Sequence, residues 1–273
     1  MTLKPLALGA AFCALTTPAL AETFVIVHGA FQTSSAWQAT ADAMRAAGET
    51  VVTVDLPGRS GDGLALGAVQ MADHVAKVSK AVAEAAAADP DGMVVLVGHS
   101  FGGMVISAVA EADPSARAGL VYVAAYLPRV GTSPGDSLQD LAASDHHGAW
   151  QADSFVVAAD YSSASVNSRD RAAIFANDAD GAVAGAIAEA MVDEPLAPLA
   201  TPVPLTAERF GTLRKGYVVT LRDRAVSTDL QLTMLGRGTV EEAVPLDTGH
   251  APMVTAPEAL AEAIRRAATP ELE

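Results

Sequence analysis

The run Met93-Val94-Val95-Leu96-Val97 leads directly into Gly98-His99-Ser100-Phe101-Gly102-Gly103 and then into Met104-Val105-Ile106-Ser107-Ala108-Val109-Ala110. A β-branched strand, a G-x-S-x-G turn and an apolar helix in immediate succession constrain this chain more than any other stretch. The serine of such a turn sits at a sharp strand-to-helix reversal, in a strained backbone that projects its hydroxyl into open space. The positions two before and two after it have to be tiny, because the helix packs back against the strand. A bare G-x-S-x-G also occurs in ordinary glycine-rich turns. The strand and helix flanks are what favour a nucleophile at Ser100.

Around this turn, strands and helices alternate, which is the pattern of a mostly parallel sheet covered by helices on both faces. Phe24–Val27 reads as a strand ending in His28-Gly29-Ala30, and Trp37–Ala47 as a helix closed by Gly48. Thr50–Val54 is the next strand and Met71–Ala88 a long helix stopped by Asp89-Pro90. After the central turn come a strand over Ala118–Ala124, another over Tyr217–Leu221, a helix over Thr228–Leu235, a last strand over Val240–Pro245 and a closing helix over Pro257–Ala268. Between about 134 and 212 the rhythm fails, and the fold class predicts a lid over the site there, with helices at Ser168–Ala176 and Ala182–Met191. Trp150, Phe155, Tyr161, Phe175 and Met191 are read mostly as lid core, with pocket wall as the other reading.

At 273 residues the chain is long enough for one enzyme-sized domain, and 22 glycines with 15 prolines exclude a low-complexity chain. A formal charge of −15 excludes nucleic acid and anionic membrane surfaces as expected partners. Lys4, the apolar run Pro5–Leu15 and Ala19-Leu20-Ala21 form a signal-peptide pattern, too short for a membrane span. Cleavage after Ala21 divides the chain into a signal peptide at 1–21 and a domain at 22–273. It also removes Cys13, the single cysteine. The expectation is a soluble protein without disulfides or membrane anchor, exported to a bacterial periplasm or secreted.

A serine needs a base, itself oriented by a carboxylate. In this fold the chain order is serine, acid, histidine, and His250 in Asp247-Thr248-Gly249-His250-Ala251-Pro252 is the histidine that lies late enough. Asp223, following the strand Tyr217–Leu221, ranks first as the acid; Asp229 lies inside a predicted helix, and Asp247 is awkwardly close to His250 in sequence. The oxyanion donors are expected at the amides of Phe101 and Ala30, with Phe31 in reserve for the latter. His74 reads as a helix-surface residue. Asp145, His146 and His147 read as a solvated lid loop, and no metal or other cofactor is expected.

Phe24-Val25-Ile26-Val27-His28-Gly29-Ala30, Gly98-His99-Ser100-Phe101-Gly102-Gly103, Thr206-Ala207-Glu208-Arg209-Phe210-Gly211, Tyr217-Val218-Val219 leading to Asp223, Gln231 and His250-Ala251-Pro252-Met253 resemble the α/β-hydrolase family of plant methylesterases and hydroxynitrile lyases. Bacterial esterases, pyrethroid-hydrolase-like enzymes among them, share this look. The resemblance covers roughly 23–268. It implies Ser100, Asp223 and His250 as the triad, and Ala30 and Phe101 as the oxyanion donors. Arg222 and Ser227 depart from the family pattern. Lyase members carry a threonine where Gly29 stands and a lysine just after the catalytic histidine, where this chain has Ala251.

The expected activity is hydrolysis of small hydrophobic or aromatic carboxylic esters by a serine hydrolase. The alternatives are a cofactor-free lyase on the same scaffold and a ligand-binding protein without catalysis.

Overall fold

The computed structural model describes residues 22–59, 61–113, 119–131, 153–238 and 240–269. The segment read as a signal peptide lies outside them, as do Asp145, His146, His147 and Trp150.

Six strands form one parallel sheet: β1 (Thr23–Val27), β2 (Thr50–Val54), β3 (Val94–His99), β4 (Leu120–Val123), β8 (Lys215–Thr220) and β9 (Glu242–Leu246), in the order β2-β1-β3-β4-β8-β9. The period of two along each strand divides the core. Phe24, Ile26, Val95, Val97, Val121, Val123 and Val218 pack on one face with α1 (Gln38–Ala46) and the C-terminal helix Pro257–Ala268. Val25, Val27, Leu96, Leu120, Tyr122, Tyr217 and Val219 pack on the other with α2 (Met71–Ala88) and α3 (Gly102–Ala112). Strands covered on both faces are buried throughout, which is why they read as continuous apolar runs.

Gly48, in the left-handed region at φ 99°, ends the turn after α1. Gln70 and Asp73 form a reciprocal capping box at the start of α2. One face of that helix is the buried stripe Met71, His74, Val78, Val82 and Ala85. His74 is therefore not a surface residue: the i, i+4 spacing carries it into the core with its neighbours.

The cap enters between β4 and β8, which are neighbours in the sheet. Its described part begins at 153 and contains an antiparallel sheet of β5 (Phe155–Val157), β6 (Ser163–Val166) and β7 (Glu194–Pro195). It also contains the helices α4 (Ser168–Phe175) and α5 (Gly181–Ala190), each within a residue of its expected start. The Thr206–Gly211 segment docks on the end of α3: the Glu111 carboxylate accepts the amide and hydroxyl of Thr206 at 2.9 and 2.8 Å and the Phe210 amide at 3.3 Å. That segment braces the cap's exit against the helix that follows Ser100.

Candidate active site

The strand order places the carboxyl ends of β1 and β3 side by side, with β2 on one flank and β4 on the other. Sheets of this type bind ligands at such a reversal of strand order. Val27 at the end of β1 is in register with Gly98. The turn His28-Gly29-Ala30 and the turn around Ser100 therefore emerge next to each other.

Ser100 sits at φ 52°, a left-handed backbone that costs any residue with a side chain. The flanking glycines make the turn possible. A Cβ on Gly98 would lie 2.7 Å from the Gly102 carbonyl oxygen, and one on Gly102 would lie 2.6 and 2.8 Å from the carbonyl oxygens of Val27 and His28. Gly29 is equally close to the serine: its Cβ would fall 2.8 Å from both Ser100 Cβ and His99 Nδ1. A lyase-like threonine at this position would require Ser100 and His99 to move.

The Nδ1 of His250 meets the Asp223 Oδ2 at 2.8 Å, with both side chains buried. Asp223 is held by four further donors. The amides of Ala225 and Val226 reach its Oδ1 at 2.8 and 3.0 Å, and the Thr220 hydroxyl and Gln231 Nε2 reach its Oδ2 at 2.8 and 3.3 Å. Gln231 is itself fixed, accepting the Thr220 amide at 3.0 Å and donating to the Val226 carbonyl at 2.7 Å. The rival carboxylates stand elsewhere. Asp229 is exposed in the first turn of the helix Thr228–Leu235, and exposed Asp247 pairs with Arg222 at 2.9 Å.

His99 ties the two halves together. Its Nε2 donates to the His250 carbonyl at 2.9 Å, its Nδ1 lies 3.1 Å from the Gln32 side-chain amide, and its ring stands 4.6 Å from the His250 ring. Burial, and after it the neighbouring His250, hold His99 well below the usual histidine range, so it is a neutral strut. Among the described residues, neither the Ser100 hydroxyl nor Nε2 of His250 has a hydrogen-bond partner. Neither group is tied up by a competing partner there, and catalytic contacts commonly tighten only on binding.

Around the turn after β1, the Leu56 amide donates to His28 Nε2 at 3.1 Å, so the His28 proton is on Nδ1, which donates to the Gly29 carbonyl at 2.8 Å. Burial, reinforced by the Arg59 charge, lowers His28 to about 3. The Gly29 carbonyl and the Ala30 N–H share one planar peptide and point in opposite directions. His28 thereby turns the Ala30 amide away from itself. The Phe31 amide is already committed, donating to Glu194 at 2.7 Å. Among the described residues the amides of Ala30 and Phe101 have no such partner.

Three features complete the site, and the first and third were not read from the sequence. His74 is fully buried, edge-on to the Phe101 ring at 6.1 Å between centroids, with neither ring nitrogen partnered among the described residues. Burial, and after it the Arg59 charge, lowers it to about 4. Phe175 from the cap lies against His250, ring centroids 5.5 Å apart, and against Phe31 at 6.2 Å, while Tyr161 is an exposed cap residue. The third is a buried ion pair, Arg59 with Glu194, at 2.6 Å. The helical spacing of α2 could have exposed the first. The third joins residues 135 positions apart and leaves no local pattern.

The sequence profile described as "Alpha/beta hydrolase family" matches residues 24–263. Methylesterase 7 of Arabidopsis thaliana is 27% identical over 252 residues, covering 87% of this chain and 92% of the relative. The pyrethroid hydrolase of Sphingobium wenxiniae is 29% identical over 247 residues, covering 88% and 85%. Among solved structures, a pyrethroid hydrolase from Sphingobium faniae superposes with a TM-score of 0.73 at 25% identity, covering 92% of this chain and 99% of the other. Polyneuridine aldehyde esterase has a TM-score of 0.79 at 20% identity, covering 90% and 98%, and supports the fold alone. The relatives are esterases and hydrolases by name.

Proposed function

We propose that this chain, which belongs to the alpha/beta hydrolase family, cleaves small hydrophobic or aromatic carboxylic esters through an acyl-enzyme on Ser100. The observation that carries the reading is the 2.8 Å bond between His250 Nδ1 and Asp223 Oδ2, which leaves Nε2 for a serine held at φ 52°. His250 takes the Ser100 proton as Oγ attacks the ester carbonyl, and Asp223 holds the ring in the tautomer that accepts at Nε2. The amides of Ala30 and Phe101 stabilise the oxyanion. His250 then protonates the departing alcohol, and water repeats the sequence to release the acid.

The aromatic side chain of Phe175 against His250, itself packed on Phe31, supports an apolar substrate. Ala251, buried next to the histidine, offers no cation to a departing cyanide and supports hydrolysis over lyase chemistry. The test is labelling by a fluorophosphonate together with turnover of p-nitrophenyl and aromatic methyl esters. The native chain is expected to label and turn over, and Ser100→Ala to do neither. Cyanohydrin cleavage without ester turnover would overturn the reading, as would a Ser100→Ala protein with near-native esterase activity.

A further inference from the structure

Glu194, on the cap strand β7, is fully buried, and Arg59, in the loop after β2, is 5% exposed. A buried ion pair is a poor device for stability alone, since desolvation offsets most of the attraction. This one is not even saturated. Among the described residues Glu194 Oε1 and Arg59 Nη1 have no partner. Burial pushes the Glu194 carboxyl up, and the Arg59 guanidinium acts against that shift.

What the pair does hold is one loop. Glu194 Oε2 accepts the Phe31 amide at 2.7 Å as well as Arg59 Nη2 at 2.6 Å, and Arg59 Nε donates to the Gln32 carbonyl at 2.8 Å. The Val192 amide, two residues before Glu194, donates to the Phe31 carbonyl at 2.9 Å. Phe31 stands at φ 62°, a left-handed conformation that a bulky residue keeps only when its surroundings enforce it. The Phe31 N–H lies in the peptide plane directly after the one bearing the Ala30 N–H. If it were released, the loop would be free to relax out of this conformation and carry the Ala30 amide with it.

We propose that Glu194 is a positioning residue that, through the Phe31 amide, sets the Ala30 amide for oxyanion stabilisation, with Arg59 the counter-charge that lets a carboxylate stand there, so that the cap completes the oxyanion hole. This rests on the esterase reading above. Preorganisation of a donor is felt in the transition state and hardly at all in ground-state binding.

The test compares two double variants that both lose the ion pair and leave no lone buried charge. Arg59→Met/Glu194→Gln keeps an acceptor for the Phe31 amide, and Arg59→Met/Glu194→Leu removes it. The leucine variant is expected to lose on the order of 10²-fold in kcat with KM within about threefold of native. It should also lose affinity for a trifluoromethyl ketone by a similar factor, and the glutamine variant should recover most of both. Equal kcat and equal ketone affinity in the two variants, with native turnover intact, overturn this proposal alone. A native chain inert to every ester and to fluorophosphonate overturns the esterase reading and this proposal with it. Should the leucine variant not fold, amide exchange in the native protein decides: slow exchange at Phe31 supports the proposal, and exchange at the rate of an open loop overturns it.

Discussion

The Asp178 carboxylate in the cap accepts the amide of Gly249 at 2.7 Å, one residue before His250. The same oxygen accepts the Thr255 hydroxyl at 3.1 Å, and the adjacent Asn177 donates to the carbonyl of Arg222, one residue before Asp223, at 2.9 Å. Two neighbouring cap residues thus grip the acid and base loops beside the paired side chains. Asp178→Ala removes both bonds to a charged acceptor and should cost about 2 kcal/mol of stability. Turnover should fall while KM stays near native. Steady-state kinetics on a folded variant check this, and an unchanged kcat would deny Asp178 any part in aligning His250.

Asp223→Asn is expected to reduce kcat by on the order of 10⁴, because an amide allows the wrong tautomer of His250. Asp229→Asn and Asp247→Asn, at exposed positions, should stay within a few-fold of native. A crippling effect at either of those would move the acid away from Asp223.

Ser100→Ala and Ser100→Gly should both be inactive, yet differ in stability. The left-handed backbone at φ 52° suits glycine and strains alanine, so the glycine variant should be more stable by about 1 kcal/mol. Denaturant melts of the two variants decide it. Equal midpoints would show that the turn carries no strain at this residue.

His74 and His28 are lowered to about 4 and about 3 in the folded protein, below the histidine value of 6.5 that unfolding restores. The unfolded chain therefore binds more protons as pH falls through 6.5, and folding stability is lost in that direction. For His74 the loss runs from 6.5 down to about 4, at up to about 1.4 kcal/mol per pH unit. Below that its contribution is flat, and His28 continues to about 3. His74→Leu should remove one proton's share of this slope, measured by urea melts between pH 4 and 7. An unaltered slope would mean that His74 is not the neutral, buried group described above.

Gly102→Ala places a Cβ against two backbone carbonyls that cannot move separately from the sheet, and should destabilise by about 1–3 kcal/mol. Gly185→Ala, in helix α5 with nothing within 4 Å, should stabilise by up to about 1 kcal/mol. Thermal unfolding of the pair tests the contrast. A Gly102→Ala protein as stable as native would refute the tight strand–helix contact.

Much of this architecture is legible in residue order, for identifiable reasons. Strands buried on both faces announce themselves as apolar runs, and Met71–Ala88 and Pro257–Ala268 end where proline or a capping group stops them. Asp223 could be ranked over its rivals because strand, turn and helix follow in a fixed sequence there. The small sheet of the cap could not be read. Its strands are two to four residues long and partly polar, too short for any period to appear. His74 reads as a surface residue by its type alone, and only its place on the stripe with Met71 and Val78 carries it inside. Arg59 and Glu194 share no spacing, and only the folded chain brings them together.

The insertion of the cap between β4 and β8 has a consequence for how such a protein can change its substrate. The two strands pair directly, so everything between them can be exchanged without disturbing the register of the sheet. In that sense the cap is a replaceable module. Among the described residues its freedom is limited where it reaches the three loops of the site: by Asn177 at the acid loop, by Asp178 at the base loop, and by Val192 and Glu194 at the turn after β1. A transplanted cap that reshapes the pocket but lacks groups at those loops would bind its new ester and turn it over slowly. Exchange of specificity in this scaffold is thus a graft with three sutures, and a successful donor has to supply them along with the new walls.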